Sequence, residues 1–202
     1  MNKFRALESL FLDRFQRRYS RLAGARKSHL FADLRGNVLE VGAGSGANFD
    51  FLPPNLHWTG IDPHPHGLRY VRAAALRSGH KFDFRVARAE ALPFPDGSFD
   101  AALSTLALCS IPDPVRALAE LRRVLRPGGR LLFMEHVAAP QGSSTLKRQR
   151  LVRPLFRCVA GCTPDLPTGQ LLGAAGFAEL RIEEFTLDLP IVGPHICGCA
   201  VR

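Results

Sequence analysis

The chain has 202 residues, 46% hydrophobic and 22% charged, which suits one globular domain with a full core and excludes a disordered or low-complexity chain. No stretch is apolar for the length a membrane-crossing helix needs, and charges interrupt the basic start MNKFRALESLFLDRF, so neither an anchor nor a signal peptide is expected. A net charge of +9, mostly arginine, invites an anionic partner, and five cysteines without a disulfide pattern fit a reducing, cytoplasmic setting.

Phe4, Leu7, Leu10, Phe11 and Phe15 recur at helical spacing among arginines, which predicts a basic amphipathic helix. A second helix is expected over Arg26–Leu34, ending near Gly36. NVLEV is a short buried strand before a glycine loop. NLHWTGID is a second strand, and Pro63 to Ser78 suit a helix. KFDFRV and SFDAALST are strands three and four. A helix follows from about Pro114 to Leu125, and RPGGRLLFMEHV is a turn and a fifth strand. TGQLLGAAG is a short helix ending at Gly176, and FAELRIEEF and PHICGCAVR close the chain as strands. Alternation of strands and helices predicts an α/β, Rossmann-like doubly wound sheet. With no helix between the final two strands, the last of the seven runs antiparallel. No linker interrupts residues 1–202, so one domain is expected, a helical cap over residues 1–35 on a core of residues 36–202.

In LEVGAGSGANFDF, Gly42, Gly44 and Gly46 stand at every second position. Glycines let the backbone approach a ligand because no Cβ intrudes. Read as G-x-G-x-x-A through Ala47, the loop also satisfies the dinucleotide fingerprint, and Asp62 at the next strand end suits the ribose of either of two cofactors. Glu40, just before the first glycine, separates them. A carboxylate is unwelcome beside a pyrophosphate but suits S-adenosylmethionine, which carries an ammonium, a sulfonium and no phosphate.

LEVGAGSG, GIDP, ALPFPDGSFD and LRPGG, in that order, resemble the class I S-adenosylmethionine-dependent methyltransferases from about Asp33 to the C-terminus. GSGANF, DPHP, TLALCSIPDP, VLRPGGRLLFMEHVA and PHICGCAVR look like the thiol S-methyltransferases of the methyltransferase-like group, and the chain is also similar to phospholipid N-methyltransferases and quinone C-methyltransferases. The resemblance implies S-adenosyl-L-methionine as cofactor and S-adenosyl-L-homocysteine as product. It assigns Glu40 to the methionine ammonium through water and Gly42, Gly44 and Gly46 to the methionine and ribose. Asn48 would hydrogen-bond the cofactor, Asp62 would hold the ribose hydroxyls and Pro63 would lie against adenine. Ala89 and Glu90 would meet the adenine edge, and Thr105 and Leu106 would lie below the methionine arm. Arg88 stands where many relatives carry an acidic residue.

The acceptor is expected to be a small molecule. STLALCSIPDP lacks the Asn/Asp-Pro-Pro-aromatic turn of nucleic-acid amino-methyltransferases, so no nucleic-acid partner is expected. No acidic residue lies between Asp100 and Asp113, unlike protein arginine methyltransferases, and no carboxylate cluster for magnesium can be assembled. A thiol sulfur is the favoured acceptor, with amine, oxygen or carbon of a phospholipid, quinone or secondary metabolite as alternatives. His136 at the end of strand five is the candidate base. Cys109 is expected to be a core residue. His195, Cys197 and Cys199 share a strand face, but alternate residues sit about 6.5–7 Å apart. They are expected to be structural, even with Cys158 or Cys162 as a fourth ligand, so no metal is predicted. The basic, apolar-interleaved stretch TLKRQRLVRPLFR is placed as a substrate lid able to touch an anionic membrane, as could the N-terminal helix.

Overall fold

In the computed structural model, which describes residues 18–202, the apolar run after Gly36 forms a central strand, β1 (Asn37–Val41). It is paired in parallel on one side by β2 (His57–Asp62), which carries β3 (Phe82–Val86) at the edge. On its other side lie β4 (Phe99–Thr105) and β5 (Leu125–His136), both parallel to it. The final strand β7 (Pro194–Val201) inserts antiparallel between β5 and β6 (Glu179–Thr186). The order β3-β2-β1-β4-β5-β7-β6 reverses direction between β1 and β4, which opens a crevice at the carboxyl ends of those two strands. The predicted strands appear within a residue or two of their expected bounds. The RPGG turn shows as a register shift between β4 and β5.

Strand alternation divides the core into two layers. Leu39, Val41, Ala102, Leu131 and Phe133 face α3 (Pro114–Val124) and α5 (Thr168–Ala174). Val38, Trp58, Ala101, Leu103 and Leu132 face Phe31 and Leu34, together with Val71, Ala74 and Ala75 of α2 (Gly67–Ser78).

Three expectations on helices change. Residues 18–31 form one continuous helix, α1, with no start at Arg26. Tyr19, Ala23, Lys27 and Phe31 make an unbroken buried stripe, and Gly24 is tolerated because it lies against the Phe51 ring. The helix after β2 starts at Gly67 rather than Pro63, because Asp62 Oδ1 accepts the His64 N–H (2.9 Å) and forms a turn. The basic stretch is a full helix, α4 (Ser144–Ala160), begun by Ser143 Oγ accepting the Leu146 N–H and ended by Gly161 in the left-handed conformation. The N-terminal stripe from Phe4 to Phe15 lies outside the described residues.

Candidate active site

The crevice at the switch point is a cavity of about 380 Å³. Loop 42–48 leaves β1 with Gly42, Gly44 and Gly46 all at positive φ, the region where a side chain is strained. A Cβ on Gly42 would also lie 2.7 Å from the Ala107 Cβ, so glycine there keeps the first loop against the turn after β4. The loop leads into a single 3₁₀ turn (Phe49–Phe51), not a helix of the kind that presents its N-terminus to a dinucleotide pyrophosphate. Asp62, half-exposed at the end of β2, faces this loop and accepts the Gly44 N–H through Oδ2 (3.2 Å).

The cavity brings together Glu40, Gly42, Gly44, Asn48, Asp62 and Pro63 from one side of the switch point. Ala89, Glu90, Thr105 and Leu106 join them from the segments after β3 and β4. Gly46 is buried behind the loop, against Ala74 and Phe49. Arg88 donates to Glu90 Oε1 (2.8 Å), so the carboxylate meant for the adenine edge is paired with its neighbour.

Glu40 lines the cavity but is only 4% exposed, and both of its oxygens are engaged within the protein. Its Oε1 accepts from Asn48 Nδ2 (2.9 Å) and its Oε2 from Trp58 Nε1 (2.9 Å). Asn48 Nδ2 also reaches Thr105 Oγ1 (3.2 Å), and Asn48 Oδ1 accepts from Lys27 Nζ (2.8 Å). Burial is the main reason that Glu40 is raised to about pKa 7 and Lys27 lowered to about 8, each opposed by the other's charge. The Trp58 indole fits because Gly60, two residues on and opposite Glu40 in β1, has no Cβ, which would sit 2.2 Å from the ring.

Lys27 and Trp58 were missed from sequence, although both left a signal. Lys27 is a charge on the apolar stripe of α1, and Trp58 precedes a glycine on the same strand face. Tyr19 was missed too. It lines the cavity from α1, and burial, then Glu135, pushes its phenol pKa up.

The wall after β4 is strained and pinned. Leu106 has φ 51°, a conformation that costs a non-glycine residue roughly 1–2 kcal/mol. Buried Glu135 holds it, its Oε1 accepting from Ser104 Oγ (2.7 Å) and the Ala107 and Leu108 N–H groups (3.1 and 3.3 Å).

His136 does not line the cavity. It is 3% exposed, with Nε2 3.1 Å from Cys162 Sγ. The sulfurs of Cys109 and Cys162 and its imidazole nitrogen lie within 4.8 Å of one another, an association that the sequence did not suggest. His195 instead gives Nδ1 to the Gly193 carbonyl (2.8 Å), and burial lowers its pKa to about 4. Among the described residues, no helix is long and apolar enough to cross a membrane.

Residues 39–133 match the family model described as methyltransferase domain. The chain is 38% identical over 192 residues to human thiol S-methyltransferase TMT1B, covering 88% of this chain and 79% of that protein. It is 36% identical over 206 residues to human thiol S-methyltransferase TMT1A, covering 95% and 84%. Among solved structures, a SAM-dependent methyltransferase from Thermotoga maritima superposes with a TM-score of 0.68 at 21% identity, over 95% of this chain and 96% of that one, a likeness of fold.

Proposed function

We propose that this chain, which belongs to the S-adenosylmethionine-dependent methyltransferase family that includes the thiol S-methyltransferases, methylates the sulfur of a small, fairly apolar thiol. Its cofactor is S-adenosyl-L-methionine, which supplies a methyl group already activated on a sulfonium. The residues present suit that molecule. The glycine loop allows close backbone approach, the half-exposed Asp62 suits two ribose hydroxyls, and Glu40 with Asn48 offers acceptors to an ammonium. Ala89, Pro63 and Leu106 give the apolar surface that adenine and the methionine arm need.

With the methyl activated beforehand, the protein has to align the acceptor, exclude water and leave the nucleophile deprotonated. The observation that carries the thiol is the wall formed by Leu106, Ile111, Pro112, Ala160 and Gly161. These residues offer no base, and His64, which also lines the cavity, stands beside Asp62 and Pro63 at the ribose end. Tyr19 is held as a phenol, and His136 lies behind the wall beside Cys162. Such a wall suits a nucleophile that ionises unaided near neutral pH, and a thiol with pKa near 8.5 does so where an amine or alcohol does not.

The acceptor's apolar character fits α4, whose Leu151, Leu155 and Val159 are exposed in one stripe among arginines. That surface supports peripheral contact with an anionic membrane. Five free thiols suit a reducing, cytoplasmic setting.

The test is incubation with labelled cofactor and a panel of thiols, amines, phenols, quinols and phospholipids, with product masses read. Thioether formation should dominate. Methylation confined to nitrogen, oxygen or carbon acceptors would overturn the thiol reading.

A further inference from the structure

Three side chains far apart in sequence converge behind the acceptor wall. Cys109 lies in the turn after β4, His136 ends β5, and Cys162 follows the glycine cap of α4. The Thr163 N–H donates to the Cys109 carbonyl (2.8 Å), which ties the end of α4 to the turn after β4. Cys109 and His136 are buried, and Cys162 is partly exposed. Ser110 and Ile111 after Cys109, and Ala160 and Gly161 before Cys162, line the cavity itself.

We propose that Cys109, His136 and Cys162 bind a zinc ion whose fourth position takes the thiolate of the acceptor, a role that rests on the thiol reading above. Zinc binds sulfur at about 2.3 Å and imidazole nitrogen at about 2.0–2.1 Å, so ligands in a tetrahedral site stand about 3.5–3.8 Å apart. The three donor atoms already lie within 4.8 Å of one another, with Nε2 and the Cys162 sulfur at 3.1 Å. Small side-chain adjustments suffice to close the site. Two sulfurs and an imidazole exclude magnesium and calcium, which prefer oxygen, and suit zinc. Three protein ligands leave one position open, the arrangement of a zinc that handles a substrate rather than one that only holds a fold together. His195 holds the Gly193 carbonyl through Nδ1, and with its ring centre 6.3 Å from that of His136 it stays outside the cluster.

Such an ion solves the problem set by a wall without a base, because a thiol coordinated to zinc is deprotonated. The acceptor loses its S–H proton to solvent on binding. Its sulfur lone pair then attacks the methyl carbon, a sulfur–carbon bond forms, and the carbon–sulfonium bond breaks with its pair remaining on the departing sulfur. The thioether product carries no charge, holds zinc weakly and leaves. Nothing is oxidised or reduced.

The experiment measures zinc in full-length protein purified without chelator, alongside Cys109→Ser, Cys162→Ser and the control Cys158→Ser, which alters an exposed thiol outside the cluster. Wild type and Cys158→Ser should carry one zinc per chain, and the other two should lose at least about tenfold in zinc affinity while retaining the wild-type circular dichroism. Cobalt-substituted protein should show a sulfur-to-cobalt absorption band that shifts on addition of benzyl mercaptan, without cofactor. Failure of metal-free protein to take up zinc, equal zinc in the Cys109 and Cys162 variants, a Cys109–Cys162 disulfide in fully active enzyme, or a cobalt spectrum indifferent to the thiol would each overturn the proposal. Metal content and spectrum are read without turnover, so their failure is distinguishable from failure of the acceptor panel.

Discussion

Lys27, Asn48 and Glu40 form a buried polar chain that runs from α1 to the first strand, and its protonation couples folding to pH. Glu40 is raised to about 7, above its unfolded value, so the folded state holds its proton more tightly and loses stability as pH rises from about 4.5 towards 7. Lys27, lowered to about 8, acts in the opposite sense at higher pH, where stability recovers towards the unfolded lysine value. Denaturant titrations of wild type and Glu40→Gln should therefore diverge between pH 5 and 7, wild type losing on the order of 1–3 kcal/mol relative to the variant. Parallel pH profiles would mean that Glu40 does not titrate in this range. Asp62 has a different task at the cavity edge, where it holds the Gly44 N–H and faces the ligand space. Asp62→Ala should weaken S-adenosylmethionine binding by one to two decades, from a charge-assisted hydrogen bond of roughly 1.5–3 kcal/mol. Asp62→Asn, which keeps an acceptor for Gly44, should lose less. Calorimetry reads both, and unchanged affinity in the alanine variant would remove Asp62 from the site.

At the scale of elements, α4 shows what a solvated basic helix alone would not. Leu151, Leu155 and Val159 recur every four residues and are 80%, 62% and 52% exposed, while Leu146 and Gln149 turn inward. Gln149 fastens the helix by donating to the Val137 and Ile191 carbonyls and accepting the Ala139 N–H, so the apolar stripe is held outward by a specific anchor. Flotation with vesicles containing anionic lipid should retain the protein, and retention should fall several-fold for Leu151→Ser/Leu155→Ser and at high salt. Equal retention of that variant would place the contact elsewhere. The turn after β4 is a second such device, because Glu135 on the neighbouring strand supplies one carboxylate oxygen that accepts the Ala107 and Leu108 N–H groups just after the left-handed Leu106.

For the molecule as a whole, a cofactor bound only by the folded state stabilises it by about 2.7 kcal/mol at a hundredfold excess over Kd. For a domain of this size that is a rise of roughly 5–10 °C in melting temperature, expected with S-adenosylmethionine or S-adenosylhomocysteine and not with NADH. A rise with NADH alone would return the loop to the dinucleotide reading. The sheet and the glycine loop were legible in the sequence because they rest on local rules. Strand period, the punctuation of NVLEV by glycines and the absence of a helix before PHICGCAVR are all readable along the chain. Gly42, Asp62 and Thr105 could be placed for the same reason, since strand ends on one side of a doubly wound sheet meet at its switch point. Lys27 beside Asn48, Trp58 folded over Gly60 onto Glu40, and Cys109 with His136 and Cys162 were decided only by tertiary structure. Each joins elements whose separation along the chain carries no periodic signal. A buried polar side chain must find its partner in space, and the packing of helices against the sheet determines which partner lies within reach.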